Sequence, residues 1–165
     1  MSIDKALFRQ VAGSFASGVT VITTGSEGNF HGMTASAFTS LSLEPTLVLV
    51  CFDKRAETLE ALQAAGRFNV NILAADQEHL SRTFASKDSP AAHGFNGIDY
   101  EIGELGLPVL VGSLAYFECL VKEEVDGGDH MIIIGEVENG GIGEIEDPLL
   151  YFRGRYRTAK ELPIS

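Results

Sequence analysis

Hydrophobic and polar positions alternate with two different periods along this chain, and the switches between them mark its elements. Over residues 4–16, Phe8, Val11, Ala12 and Phe15 recur at i, i+3, i+4 and i+7, the stripe of an amphipathic helix. Asp4 is placed to cap its start and Gly18 to stop it. Residues 19–24 are β-branched and predict a strand. A turn over 25–29 and a returning strand from Phe30 follow. Residues 46–52 are wholly apolar apart from Thr46, which predicts a central strand. Residues 57–65 read as a short helix with Leu59 and Leu62 on one face, closed by Gly66. Residues 67–73 alternate polar and apolar, the pattern of a half-buried strand. Asp76 is expected to cap a second helix ending near Phe84. The polar stretch 86–97 predicts a long loop. Two strands, 114–125 and 131–137, flank a turn at 126–130. A last strand over 149–157 would place Arg153, Arg155 and Arg157 on one face and Phe152, Gly154 and Tyr156 on the other.

The pattern predicts seven or eight strands and two or three short helices. Helices do not regularly separate the strands, so a doubly wound parallel sheet is excluded. The expected fold is mainly β (α+β): a closed antiparallel barrel with helical additions. At 165 residues, 45% of them hydrophobic, the chain suits one domain spanning 1–165 with its own core. No apolar run approaches the ~20 residues that span a bilayer, and the N-terminus is charged where a signal peptide would be apolar. No membrane association and a cytoplasmic location are expected.

The chain carries 23 acidic against 12 basic residues, a net charge of -11. Nucleic acid is therefore not an expected partner, because phosphate backbones require a basic face. A phosphate-bearing ligand needs a local exception. Lys54-Arg55 and the Arg153, Arg155, Arg157 row are the candidates. Cys51 and Cys119 form no C-x-x-C pair, so neither zinc nor a redox dithiol is indicated. Cys51 has the setting of a small buried hydrophobe. No metal site is expected.

The stretch from His31 to Ser42 is dense in hydroxyls: Thr34, Ser36, Thr39, Ser40 and Ser42. Small hydroxyl residues let the backbone approach a ligand and offer N–H and O–H donors, as a phosphate or ribityl chain requires. Composition alone leaves open a hydroxyl-rich strand and turn that binds nothing. Asp53-Lys54-Arg55 at a strand end could balance a phosphate or form a solvated turn. His130 follows the tight turn Gly127-Gly128-Asp129; a lone histidine there can also be an ordinary surface residue. His79 and His93 sit in helix and loop contexts and read as ordinary structural residues. There is no G-x-G-x-x-G, catalytic triad or paired catalytic carboxylates.

Gly32-Met-Thr-Ala-Ser-Ala-Phe-Thr-Ser-Leu-Ser, then Glu44-Pro45 and Leu49-Val-Cys-Phe-Asp-Lys, resembles the flavin-binding core of the flavin reductase domain family. That family includes the small reductase components of two-component flavin-dependent monooxygenases. The resemblance continues in order through Arg67-Phe-Asn-Val-Asn-Ile-Leu, Leu80-Ser-Arg-Thr-Phe-Ala-Ser, Phe95-Asn-Gly, Gly128-Asp-His-Met-Ile-Ile-Ile-Gly-Glu-Val and Leu150-Tyr-Phe-Arg-Gly-Arg-Tyr-Arg. It covers residues 8–157. It implies a split antiparallel β-barrel of the FMN-binding type, working as a homodimer with flavin near the subunit interface. Thr34, Ala35, Ser36 and Ala37 would line the isoalloxazine and ribityl chain, with Ser36 where many relatives carry Asn. Ser40 and Lys54 would hold the phosphate, with Thr39 and Arg55 as further candidates. Cys51 and Asp53 would lie beside the ribityl chain, and Phe84, Ala85 and Ser86 would close around the flavin. His130 would orient the nicotinamide, with Asp129 fixing its turn. The aromatic face of the last strand would bring Tyr156 to the flavin or nicotinamide.

The resemblance implies hydride transfer from NADH or NADPH to N5 of FMN or FAD, with reduced flavin passed to a partner monooxygenase. Such a transfer needs no acid, base or nucleophile from the protein, which agrees with the missing catalytic motifs. Three alternatives share parts of this pattern. They are an oxidase of the pyridoxamine-phosphate-oxidase-like type, a non-enzymatic flavin- or haem-binding module, and a reductase whose free reduced flavin passes electrons to ferric iron or cob(III)alamin.

Overall fold

Asp4 does cap the first helix: its carboxylate accepts from the backbone N–H groups of Ala6 and Leu7, both at 3.1 Å. In the computed structural model, which describes residues 2–86, 94–145 and 147–162, this helix (α1) spans Lys5–Ala12. It ends four residues earlier than the stripe predicted. Gly13 closes it by donating to the Arg9 carbonyl at 2.8 Å, and Phe15 lies beyond its end. None of the residues of α1 is buried.

The strands are β1 (Ser17–Gly18), β2 (Thr20–Ser26), β3 (Asn29–Ala35), β4 (Phe38–Leu43), β5 (Thr46–Asp53) and β6 (Arg67–Ile72) in the first half. In the second half they are β7 (Tyr100–Ile102), β8 (Pro108–Leu110), β9 (Ala115–Gly127), β10 (His130–Ile142), β11 (Leu149–Phe152) and β12 (Arg155–Thr158). Helix α2 is Glu57–Ala65 and α3 is Glu78–Ala85. Seven strands form one antiparallel sheet in the order β3-β2-β6-β9-β10-β5-β4. Its edge strands, β3 and β4, are consecutive in the chain, with only Ser36 and Ala37 between them. Two residues reach only ~7 Å, so the sheet must curl until its edges approach. Ala37, at this seam, extends the β4–β5 ladder: its carbonyl accepts from the Cys51 N–H at 3.0 Å.

The curl divides the apolar residues into two cores. One holds Ile22, Val50, Phe52, Phe68 and Ile133 from four strands, together with Leu59 and Leu62 of α2. The other lies on the opposite side of β2. There Val19 and Val21 meet Phe30, Leu80 and Phe84, with Phe95, Leu107 and Leu110 from the segment between α3 and β9. Gly66 is the left-handed end of α2 (φ 66°), and its N–H returns to the Leu62 carbonyl.

Four expectations change. β6 is not half-buried: Phe68 through Asn71 are all buried. Its polar side chains bind backbone instead of water. Asn69 donates to the Leu107 and Pro108 carbonyls, and Asn71 donates to the Val21 carbonyl and accepts from Leu110 N–H at 2.8 Å. β5 lies between β10 and the edge strand β4 rather than at the middle of the sheet. Asp76 caps nothing: it falls in a short 3-10 turn, Ala75–Gln77, where the Gln77 side chain accepts from the Ala74 N–H. The last strand is two. Arg153 (φ 48°) and Gly154 (φ 74°) turn the chain back, so Tyr151 pairs with Tyr156 and Leu150 with Arg157. The even row of three arginines does not exist.

Of the predicted polar loop 86–97, residues 87–93 lie outside the described residues. Phe95 is described and is 2% exposed, packed against Phe84 with ring centroids 5.1 Å apart. Among the described residues, no helix is long and apolar enough to cross a membrane.

Candidate functional site

A cavity of about 410 Å³ opens where β3, the start of α2, α3 and the β11–β12 hairpin converge. One wall is the backbone of Gly32, Met33 and Thr34, continued by Ser36. Asp53, Arg55, Ala56, Glu57 and Thr58 form a second wall. Ser81, Phe84, Ala85 and Ser86 form a third, and Tyr151 and Tyr156 stand opposite.

Sequence dictates this convergence locally. Gly32 lets α3 lie on β3, since a Cβ there would sit 2.4 Å from the Phe84 ring. Thr34 Oγ1 donates to the Ser81 carbonyl at 2.7 Å. The Ser81 hydroxyl, itself fully buried, shares a hydrogen bond with Tyr156 OH at 2.8 Å. Ser81 thereby ties three walls together. Tyr156 is further held by Tyr151, ring to ring at 5.3 Å, and by the Arg82 guanidinium, 4.9 Å from its ring centroid. Glu78 in turn holds Arg82.

The rim is ionic. The Asp53 carboxylate accepts from Arg55 three times: backbone N–H at 2.9 Å, Nε at 3.0 Å and Nη2 at 2.7 Å. These bonds hold its pKa well below the usual carboxylate range. Lys54 Nζ donates to the Asp126 carboxylate, and the Lys54 N–H to the Asp129 carbonyl at 3.1 Å. His130 Nδ1 lies 2.7 Å from the Asp129 carboxylate, which lowers the Asp129 pKa. His130 faces Asp53 across the β5–β10 ladder, so the Gly-Asp-His turn stands one strand from the cavity rim.

The structure brings Thr34, Ser36, Asp53, Arg55, Phe84, Ala85, Ser86 and Tyr156 together around the cavity. Other expected residues do not line it. Ala35 is buried among core residues, and its carbonyl accepts from Thr20 Oγ1. Ala37 is exposed at the seam, and Thr39 and Ser40 are exposed on the edge strand β4. Cys51 is half-buried on β5, its thiol pKa raised by burial. Lys54, Asp129 and His130 form the outer rim described above.

Sequence reasoning missed Gly32, Ser81, Thr58 and Tyr151 as cavity residues. Gly32 and Ser81 stood inside quoted motifs without an assigned role. Tyr151 was hidden because a single last strand would have turned it away from Tyr156.

This lining suits a flat conjugated ring. It combines backbone and small hydroxyls with the aromatic rings of Phe84, Tyr151 and Tyr156. Among the described residues, no group of three His, Cys, Asp or Glu could hold a metal ion.

The flavin reductase like domain family matches residues 12–160, and the chain belongs to that family. It is 43% identical over 158 residues to the reductase subunit HsaB of a flavin-dependent monooxygenase from Mycobacterium tuberculosis, covering 93% of this chain and 82% of that protein. It is 39% identical over 156 residues to an NADH-dependent FAD reductase of Streptomyces globisporus, covering 93% and 86%. Among solved structures, component B of nitrilotriacetate monooxygenase from Mycobacterium thermoresistibile superposes with a TM-score of 0.90 at 40% identity, covering 98% and 92%. The Streptomyces globisporus NADH:FAD oxidoreductase SgcE6, solved with NAD and FAD fragments, gives 0.88 at 38% identity, covering 97% and 94%.

Proposed function

We propose that this protein is an NADH-dependent flavin reductase that reduces FMN or FAD and supplies the reduced flavin to a partner monooxygenase. The observation that carries this reading is the convergence of segments 32–36, 53–58 and 81–86, distant in sequence, on one cavity whose walls suit a flavin ring. The relatives' names support NADH as the reductant and an oxygenase as the recipient. When bound, the flavin supplies the redox chemistry, accepting hydride from the nicotinamide. The chain's own residues position and enclose. Thr34, Ser36 and Ser86 offer hydrogen bonds to the ring and ribityl chain. Phe84 and Tyr156 exclude water, and Lys54 with Ser40 holds the phosphate end beyond the rim. Tyr156, fixed by Ser81 and Arg82, and His130, fixed by Asp129, hold the nicotinamide. Nothing in this scheme asks a side chain to give or take a proton.

The reading includes a single-domain homodimer in the cytoplasm, with its sheet forming the split barrel. Exposed Leu7, Phe8 and Val11 on α1, and Leu43 at 86% and Ile142 at 92% exposure, support a covered surface in the assembled protein.

The test is loss of nicotinamide absorbance with purified protein, with and without added FMN, FAD and riboflavin, using NADH and then NADPH. Turnover that requires added flavin supports the reductase. Flavin binding without turnover would replace it with a binding module, and oxidation of an amine by bound flavin would replace it with an oxidase. His130→Ala is expected to raise KM for NADH roughly fivefold, the equivalent of one lost hydrogen bond, with flavin affinity unchanged. Loss of flavin affinity instead would remove His130 from the nicotinamide role.

A further inference from the structure

Among the described residues, Lys54 stands on the outer rim and Arg55 on the cavity wall, and each is paired with a carboxylate. The Lys54 ammonium is bonded to the Asp126 carboxylate of the β9–β10 turn. The Arg55 guanidinium is gripped through two nitrogens by Asp53. Asp129 adds a third carboxylate to this rim, so three carboxylates face two permanent cations. A phosphate carrying about -1.5 to -2 charges that approaches this rim meets, among the described residues, more carboxylates than permanent cations, and the chain as a whole carries -11.

We infer that Asp126 is a built-in competitor for the flavin phosphate: it occupies Lys54, so phosphate binding has to displace a carboxylate and flavin is held loosely enough to leave. This rests on the reading above that Lys54 is the phosphate ligand. The geometry supports competition rather than a fixed structural pair. Asp126 is 72% exposed and Lys54 34%, so both side chains can reorient at small cost. The turn itself does not depend on the ion pair. The other carboxylate oxygen of Asp126 accepts from the Gly128 N–H at 3.1 Å, and the Lys54 backbone holds Asp129. A reductase whose product must reach a second protein has a use for such a competitor, because each cation left free would deepen the flavin well and slow release.

Asp126→Asn is the informative change. It removes the charge and keeps an oxygen for Gly128, whereas changing Asp53 would disturb the cavity wall itself. Dissociation constants for FMN and riboflavin are measured by fluorescence titration at low salt, for the wild type, Asp126→Asn, Lys54→Ala and the double variant. Asp126→Asn is expected to tighten FMN about two- to fivefold, the range spanned by an exposed ion pair, and to leave riboflavin unchanged. The gain is expected to shrink at high salt and to vanish in the Lys54→Ala background, as a coupling through that lysine demands. Unchanged or weaker FMN binding by Asp126→Asn overturns the inference. So does equal tightening of riboflavin, or a gain that persists without Lys54. If Lys54→Ala weakens FMN and riboflavin alike, the phosphate assignment itself falls. Flavin reduction would then still be judged by its own assay.

Discussion

Replacing Glu118 by alanine is expected to destabilise the protein by about 2–4 kcal/mol. Glu118 on β9 has no exposed surface. Its carboxylate accepts from the backbone N–H groups of Glu104 (3.2 Å) and Leu105 (3.0 Å) and from Asn139 Nδ2 (2.7 Å). Truncation strands three donors at once. It also frees the 103–106 turn, which presents Leu107 to the core behind the cavity. Thermal melts should fall by roughly 5–15 °C, at about 2–4 °C per kcal/mol for a chain of this size. Glu118→Gln should lose less, about 1–3 kcal/mol, because it keeps the volume and one acceptor while turning an N–H toward a donor. Glu118 does not line the cavity, so flavin affinity at low temperature should hold. A loss below about 1 kcal/mol for the alanine variant would mean that water replaces the carboxylate.

This hub was invisible in the sequence. Glu118 reads as one more charge in an acidic chain, within the strand Ala115–Gly127, and nothing local marks it as buried. The same blindness explains β6. Alternating Asn69 and Asn71 have the pattern of a strand with one wet face, and only the long-range return of residues 107–110 converts that face into an interior. Elements set by local physics were legible: the Asp4 cap, α2 with its Gly66 end, and the β2–β3 hairpin. The split of the last strand was not. Its alternation is compatible with one strand, and the positive φ at Arg153 is a conformation that few non-glycine residues adopt.

The cavity was legible in a different way. The family resemblance selected Thr34, Ser36, Asp53, Arg55, Phe84, Ala85, Ser86 and Tyr156, and these do converge. The residues proposed to hold the phosphate, on β4 and the outer rim, stand apart from them. An extended ligand, ring in the cavity and phosphate outside, would connect the two groups. On the proposed assignment, that separation lets charge at the rim tune binding without touching the ring site.

Gly32→Ala is expected to lower flavin affinity tenfold or more, equivalent to about 1.4 kcal/mol, and stability by about 1–3 kcal/mol. The added methyl would lie 2.4 Å from Cε1 and 2.5 Å from Cδ1 of Phe84, and 3.2 Å from Cζ of Phe95. Phe84 is 3% exposed and backed by Phe95, itself 2% exposed. Close packing leaves the ring no free volume behind it, so it must move toward the cavity it lines. The flavin ring and the displaced phenyl would then compete for one space. Adding Phe84→Leu to Gly32→Ala should recover part of both losses, because the smaller side chain vacates the contested volume. Titration of FMN and riboflavin with the single and double variants checks this, and both ligands should respond alike, since the conflict is with the ring and not the phosphate. A Gly32→Ala protein that binds flavin as the wild type does would show that the ring lies elsewhere than against β3.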